Sequence, residues 1–267
     1  MDETRLDKLI KTAEKGRRMA QFKLGELYIH GNGVSIDFRK GAFWLGEAVK
    51  QGYELAFNLL SQKAGEGISE CQSRLGFLYF YGEGVEIDRA RGFQLLERAY
   101  RKKYPEAEYF FGGLFMIGLG SLIPKDLRKG LGLIKKAARK GIPDANAKLG
   151  YIYFSGEYGI EKDYQEARYW YEQAAKLNHL SGYYNLGLIY QNGLGVEKDV
   201  HKAVFWHEKA VKQGYPESQY ELGRLYLYSI PGKEKEGSDL IFQAADKGFE
   251  PAVALLNKVV EFGKLLR

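Results

Sequence analysis

The chain has 267 residues, 45% of them hydrophobic, and 40 basic against 34 acidic side chains leave a formal charge of +6. A single cysteine, Cys71, excludes an internal disulfide and a paired-cysteine metal site. No run reaches the ~18 apolar residues of a membrane span, and the stretch from Met1 to Lys15 lacks the apolar core of a secretory leader. The positive charge is dispersed. Arg101-Lys102-Lys103 and Lys135-Lys136 fall late in expected helices, where cations favour the helix dipole, so they do not form a nucleic-acid footprint. As it stands the chain reads as soluble and cytoplasmic, or as periplasmic or secreted if a leader was removed before numbering.

Taken in order, residues 1–16 read as half a unit. Asp2, Leu6, Leu9, Ile10, Ala13 and Gly16 match the second helix of later copies and make an N-terminal cap. Full repeats follow at 20–52, 71–102, 107–141, 145–177, 182–214 and 218–248. Their first helices carry Gly25, Gly76, Gly112, Gly150, Gly187 and Gly223, of which the last four steps are 36, 38, 37 and 36 residues. A period of this size marks a stack of supersecondary units that grows without adding domains. Each first helix opens on a small residue (Ala20, Cys71, Ala107, Ala145, Gly182, Ser218), reaches Leu (Phe111 in the third copy) and Gly one turn on, and then an aromatic (Tyr28, Tyr79, Phe115, Tyr153, Tyr190, Tyr226). Spacings of four and three put these on one helical stripe.

Paired glycines end the first helix, at Gly31/Gly33, Gly82/Gly84, Gly118/Gly120, Gly156/Gly159 and Gly193/Gly195. Asp37, Asp88, Asp126, Asp163 and Asp199 then stand where a helix N-cap belongs. A mid-helix glycine costs roughly 1 kcal/mol against alanine, so its repetition implies close approach of the second helix. Ala48, Ala99, Ala137, Ala174, Ala210 and Ala244 are the expected facing residues. Residues 53–68 read as a compressed irregular unit, the start of a first helix spliced to the end of a second, with a kink or non-standard packing between two sub-arrays. Residues 251–267 read as a capping helix. Trp44, Trp170 and Trp206 occupy matching second-helix positions and are expected to pack.

Catalytic chemistry finds little support. His30, His179, His201 and His207 have no metal-ligand spacing, and no phosphate loop, dinucleotide fingerprint or nucleophile elbow occurs. The chain is expected not to be an enzyme and to hold no cofactor and no metal.

The residues quoted above resemble the Sel-1-like repeat (SLR) family of the tetratricopeptide superfamily. Leu149-Gly150-Tyr151-Ile152-Tyr153 with Asp163, Ala167, Trp170, Tyr171 and Ala174 is similar to its signature at almost every position, and the resemblance covers nearly the whole chain. It implies an all-α, right-handed superhelical solenoid of antiparallel helix pairs whose first helices line a concave wall. Counting the small residue as one, positions three, seven and ten would face that groove. The resulting protein-binding candidates are Phe22, Phe77, Phe80, Tyr109, Met116, Tyr151, Phe154, Tyr184, Leu188, Tyr220, Arg224 and Leu227, joined by Glu26, Ile29, Ser73, Gly113, Ala147 and Gln191. The expected role is a non-catalytic scaffold or adaptor that captures a segment of a partner protein. The alternatives are a bacterial immunity protein or inhibitor that neutralises a toxin or effector enzyme by wrapping it, and a carbohydrate binder using Tyr151 or Tyr184. The expected partner is another protein, without nucleic acid or membrane insertion, and a monomer is expected rather than an oligomer.

Overall fold

The structure, a computed structural model, describes residues 3–265. Asp2, assigned above to the N-terminal cap, and Leu266 and Arg267, assigned to the C-terminal capping helix, lie outside the described residues. The described residues form fifteen α-helices: α1 (Glu3–Glu14), α2 (Arg18–His30), α3 (Phe38–Lys50), α4 (Glu54–Gly65), α5 (Ser69–Tyr81), α6 (Arg89–Arg101), α7 (Pro105–Ile117), α8 (Leu127–Arg139), α9 (Pro143–Ser155), α10 (Tyr164–Lys176), α11 (Leu180–Asn192), α12 (Val200–Val211), α13 (Pro216–Tyr228), α14 (Glu234–Asp246) and α15 (Glu250–Leu265). They contain no strand, only isolated bridges from Leu119 to Ser121 and Ile123 in the widened loop of the third repeat.

Helix boundaries follow from the turn residues. Gly31, Gly82, Gly156 and Gly193 adopt the left-handed conformation that ends α2, α5, α9 and α11. The aspartate then does two jobs. Its side chain accepts a backbone N–H from the first turn of α3, α6, α8, α10 or α12. Its own N–H donates to the carbonyl of the preceding landmark aromatic, as in Asp199 to Tyr190 at 2.9 Å and Asp88 to Tyr79 at 2.9 Å. Each pair of helices is thus pinned at its hairpin end. Lys233 replaces the aspartate before α14, and no side chain caps that helix.

The chain forms two compact units, one ending at Leu114 and the other beginning at Phe115. In the first, α2 pairs with α3 and α5 with α6, while α4 packs against both α3 and α5. The boundary between units falls inside α7. Residues 53–68 lie within the first unit, and Ala56, Leu60 and Ala64 of α4 belong to its core. In the second unit each helix from α8 to α15 packs on the next in sequence.

The seam inside each helix pair differs from the expected glycine–alanine contact. A Cβ added at Gly25 or Gly76 would lie 2.8 Å from Leu45 or Leu96, and one at Gly223 would lie 2.7 Å from Ile241. At Gly150 it would meet the Tyr171 ring at 2.6 Å, and at Gly187 the His207 ring at 2.5 Å. The residue facing each glycine is therefore the large one eight positions beyond the cap. Small faces small one turn earlier, where a Cβ on Gly92 or Gly237 would sit 2.7 Å from the carbonyl oxygen of Gly76 or Gly223. The alanines named above are fully buried, but Ala174 borders Gly182 of the following first helix. In that copy the backbone at the alanine therefore lies at the joint to the next repeat.

Two glycine substitutions separate sterics from helix propensity. Gly187→Ala is expected to destabilise by about 1–3 kcal/mol, because overpacking against His207 exceeds the helix gain. Gly113→Ala, in α7 with nothing within 4 Å of the added Cβ, is expected to be neutral or to stabilise by up to about 1 kcal/mol. Urea midpoints followed by circular dichroism check both.

Candidate functional site

The three candidate rows on the first helices have different fates, and the seam explains why. Position ten runs beside the small residue four after the cap. A Cβ on Gly41 would lie 2.8 Å from Ile29, and Ile29 is buried. Met116 occupies the same register and is 1% exposed, so it is not a groove residue. Phe80, Phe154 and Leu227 are half-buried there, with Phe154 packed edge-on against Tyr164 and Tyr171.

Position three faces the joint to the next repeat. Ser73 and Ala147 are buried outright. The aromatics are half-buried because each meets the aromatic that precedes the next helix. Ring centroids are 5.2 Å apart for Phe22 and Tyr53, 5.4 Å for Tyr184 and Tyr215, and 5.5 Å for Tyr220 and Phe249. Tyr109 is half-buried as well.

Position seven is the open row. Tyr151 is 43% exposed and the Arg224 side chain 46%. Leu188 and Phe77 are half-buried, as are Glu26 and Gly113. In the first unit, Phe77 and Phe80 both stand edge-on to Phe110, at 5.6 and 5.2 Å, and Tyr81 stacks on Phe77. Tyr81 and Phe110 were not among the sequence candidates. The signal for Tyr81 was available in the bare run Phe77-Leu78-Tyr79-Phe80-Tyr81 and that for Phe110 in Tyr109-Phe110-Phe111, but only the packed helices show that the four rings meet.

The second unit carries the most organised part of this face, between α11 and α13. Fully buried His207 on α12 has one ring nitrogen 3.4 Å from Ser218 Oγ and the other 3.2 Å from Gln191 Oε1. Gln191 Nε2 donates to Glu221 at 2.9 Å, and Arg224 reaches Glu221 at 3.4 Å. Tyr184 stands edge-on to the His207 ring. A polar chain therefore runs from the intra-pair seam to the exposed guanidinium of Arg224. Burial lowers the His207 pKa to about 4, so the ring is neutral near neutral pH. Burial first, and then the Glu221 carboxylate, pushes the Tyr184 hydroxyl up to about 12. On α9 the exposed Tyr151 hydroxyl donates to Glu157, and Lys148 Nζ lies 5.1 and 5.4 Å from the Tyr151 and Tyr158 rings.

Such an arrangement suits recognition by contact better than proton transfer. Its histidine is sealed and neutral, and its tyrosines hold their protons. The Cys71 thiol is buried, and desolvation pushes its pKa up to about 12, so the nucleophilic thiolate is scarce. Among the described residues no three His, Cys, Asp or Glu side chains converge as a metal site. Among the described residues no helix is long and apolar enough to cross a membrane. A further aromatic surface went unread in the sequence. Phe43, Tyr169 and Phe205 each stand edge-on to the following tryptophan, and each is about half exposed.

Comparison with known proteins agrees with this architecture. The model of the Sel1 repeat matches residues 18–53, 69–104, 105–142, 143–179, 180–215 and 216–249. It passes over 54–68, the segment that contains α4. Chitin synthase regulatory factor 3 of Schizosaccharomyces pombe is 29% identical in an alignment of 194 residues that covers 62% of this chain and 21% of the yeast protein. Among solved structures, c5321, a protective antigen present in uropathogenic Escherichia coli strains and displaying an SLR fold, is similar with a TM-score of 0.62. It is 28% identical, over 97% of this chain and 52% of its own. A Sel1 repeat protein from Oxalobacter formigenes has a TM-score of 0.62 at 24% identity, over 87% of this chain and 89% of its own. The chain thus spans about a fifth of the curated relative and about half of the E. coli protein.

The buried histidine makes stability pH-dependent. Its folded pKa of about 4 lies below the ordinary 6.5, so the unfolded chain binds the proton more tightly. Stability is expected to be level above pH ~6.5 and to fall by up to about 3 kcal/mol as the pH drops toward 4. His207→Leu, which installs the residue found at Leu45 and Leu96, should remove the histidine share of that slope. Chemical denaturation at a series of pH values checks it.

Proposed function

This chain belongs to the Sel1 repeat family, and from that premise we propose that it is a non-catalytic scaffold or adaptor that captures a segment of a partner protein on the first-helix face of α9, α11 and α13. Repeats of this family imply protein partners. The observation that carries the finer reading is the row of exposed Tyr151, half-buried Leu188 and exposed Arg224, backed by side chains already fixed in place. Gln191, Glu221 and Arg224 hold one another in a hydrogen-bonded chain anchored on His207, and Tyr184 is wedged between His207 and Tyr215. Side chains ordered before binding lose little conformational freedom when a partner arrives. Aromatic and arginine side chains are also the residue types that dominate interface energies. The yeast relative, named as a regulatory factor of an enzyme, is in keeping with a role exerted through another protein.

Capture from native lysate followed by mass spectrometry identifies the partner. Leu188→Ala with Arg224→Ala is then expected to weaken its affinity by about ten-fold or more, with an unchanged circular dichroism spectrum. Equal affinity for the variant contradicts the reading. If the captured partner is an enzyme or toxin and binding silences it, the scaffold acts as an inhibitor; retained partner activity identifies an adaptor.

A further inference from the structure

In the first unit, α4 is a single inserted helix, and a trench separates it from α6 with α5 as its floor. The wide end, a cleft of about 930 Å³, is lined by Tyr53 and Phe57 beside α4, Tyr79 of α5 and the loop leading into α6. The narrow end, of about 200 Å³, is lined by Ser61, Gly65, Leu75, Gln94, Leu95 and Arg98. Arg91 lines both ends. Phe57 and Ser61 are one turn apart on α4, and Arg91 and Arg98 two turns apart on α6, so each helix offers one face to the trench. In the second unit the corresponding place between α10 and α12, beside Tyr190, is a cleft of about 330 Å³. The insertion of α4 is what separates these two cases.

The two ends differ in chemistry. The wide end is aromatic, and its carboxylates, Glu54, Glu86 and Asp88, lie away from the narrow end. Asp88 is already engaged in capping α6. No carboxylate lines the narrow end; Arg91, Gln94, Arg98 and the Ser61 hydroxyl supply hydrogen-bond donors. Ser61 Oγ is buried with no hydrogen-bond partner. Among the described residues neither Arg91 nor Arg98 has a carboxylate in ion-pair range. The Arg91 guanidinium is held 4.5 Å over the Tyr79 ring centroid, at the junction of the two ends.

We propose that this trench is a second peptide-binding site, which takes a segment of a partner protein bearing an apolar side chain and, one helical turn along, an aspartate or glutamate. The apolar group fills the Tyr53–Phe57–Tyr79 end. The carboxylate enters the narrow end, where Arg91 and Arg98 supply charge-assisted hydrogen bonds and Ser61 gains the partner it lacks. At the wide end Glu54, Glu86 and Asp88 outnumber Arg89 and Arg91, whereas the narrow end has arginines and no carboxylate, so an incoming carboxylate is favoured at the narrow end and the segment has one direction. The site lies on different helices from the α9–α13 face and does not depend on it.

The test is selection from a display library of short random peptides on the full chain, with a chain carrying Arg91→Gln and Arg98→Glu as the comparison. Both arginines are exposed, so the variant should keep its circular dichroism spectrum. Enriched peptides should pair an aromatic or aliphatic residue with Asp or Glu. A synthetic copy should bind the double variant and Phe57→Ala about ten-fold more weakly than the parent, and should weaken as salt rises. Absence of enrichment, selection of peptides without carboxylates, or equal binding to the double variant overturns the proposal. Peptides that lose binding through Leu188→Ala and Arg224→Ala, and keep it in the arginine variant, also overturn it while supporting the α9–α13 face.

Discussion

Each helix pair depends on a bare stretch of backbone lying under one large side chain. Gly25, Gly76, Gly150, Gly187 and Gly223 have no room for a methyl group, because Leu45, Leu96, Tyr171, His207 and Ile241 occupy that space. The glycine forgoes helix propensity of about 1 kcal/mol and gains close packing against a buried side chain, a term of similar or larger size. Once that contact sets the distance between the helices, the neighbouring rows follow. Position ten is drawn toward the second helix and position three toward the next repeat. Position seven is left the most open of the three, with Tyr151 and Arg224 exposed. The open surface is therefore a by-product of how the seam closes.

The large residue in the seam is where copies diverge in character. Leu45, Leu96 and Ile241 are apolar and end the matter there. Tyr171 is 1% exposed, and its hydroxyl has no hydrogen-bond partner among the described residues, which is a costly arrangement to maintain. His207 instead exports its polarity through Gln191 and Glu221 to Arg224. A seam residue in that copy thus orders the recognition face above it. Its neutral state depends on the same burial that forms the seam. The inserted helix α4 modifies the stack differently, by leaving a trench between itself and α6 instead of altering a contact.

Much of this was legible in the sequence because the repeat presents the same constraint several times. The recurrent glycine, aspartate and aromatic gave the helix pairs, the turns and the caps. Three features were not legible. Several small residues of the second helix, such as Gly92 and Ala99, share similar helical spacing, and spacing alone cannot say which of them meets the glycine of its own pair. That ambiguity set the alanines opposite the glycines, where Leu45, Leu96, Tyr171, His207 and Ile241 stand nearest, and it left Met116 on an open wall when its register faces inward. The polar chain from His207 to Arg224 joins residues from three helices, so no local pattern announces it. The trench by α4 depends on what a missing partner helix leaves behind, which a run of residues does not display.

Thiol accessibility tests the relation between seam and surface most directly, with buried Cys71 as the internal reference for a sealed position. Single cysteines placed at Tyr151 and Arg224 in row seven, at Met116 in row ten and at Ala147 in row three would be labelled under native conditions. Fast modification at Tyr151→Cys and Arg224→Cys, with Met116→Cys and Ala147→Cys as slow as Cys71, is the expected result. Comparable rates in all three rows would contradict it, because the glycine seam would then not decide which side chains the protein presents.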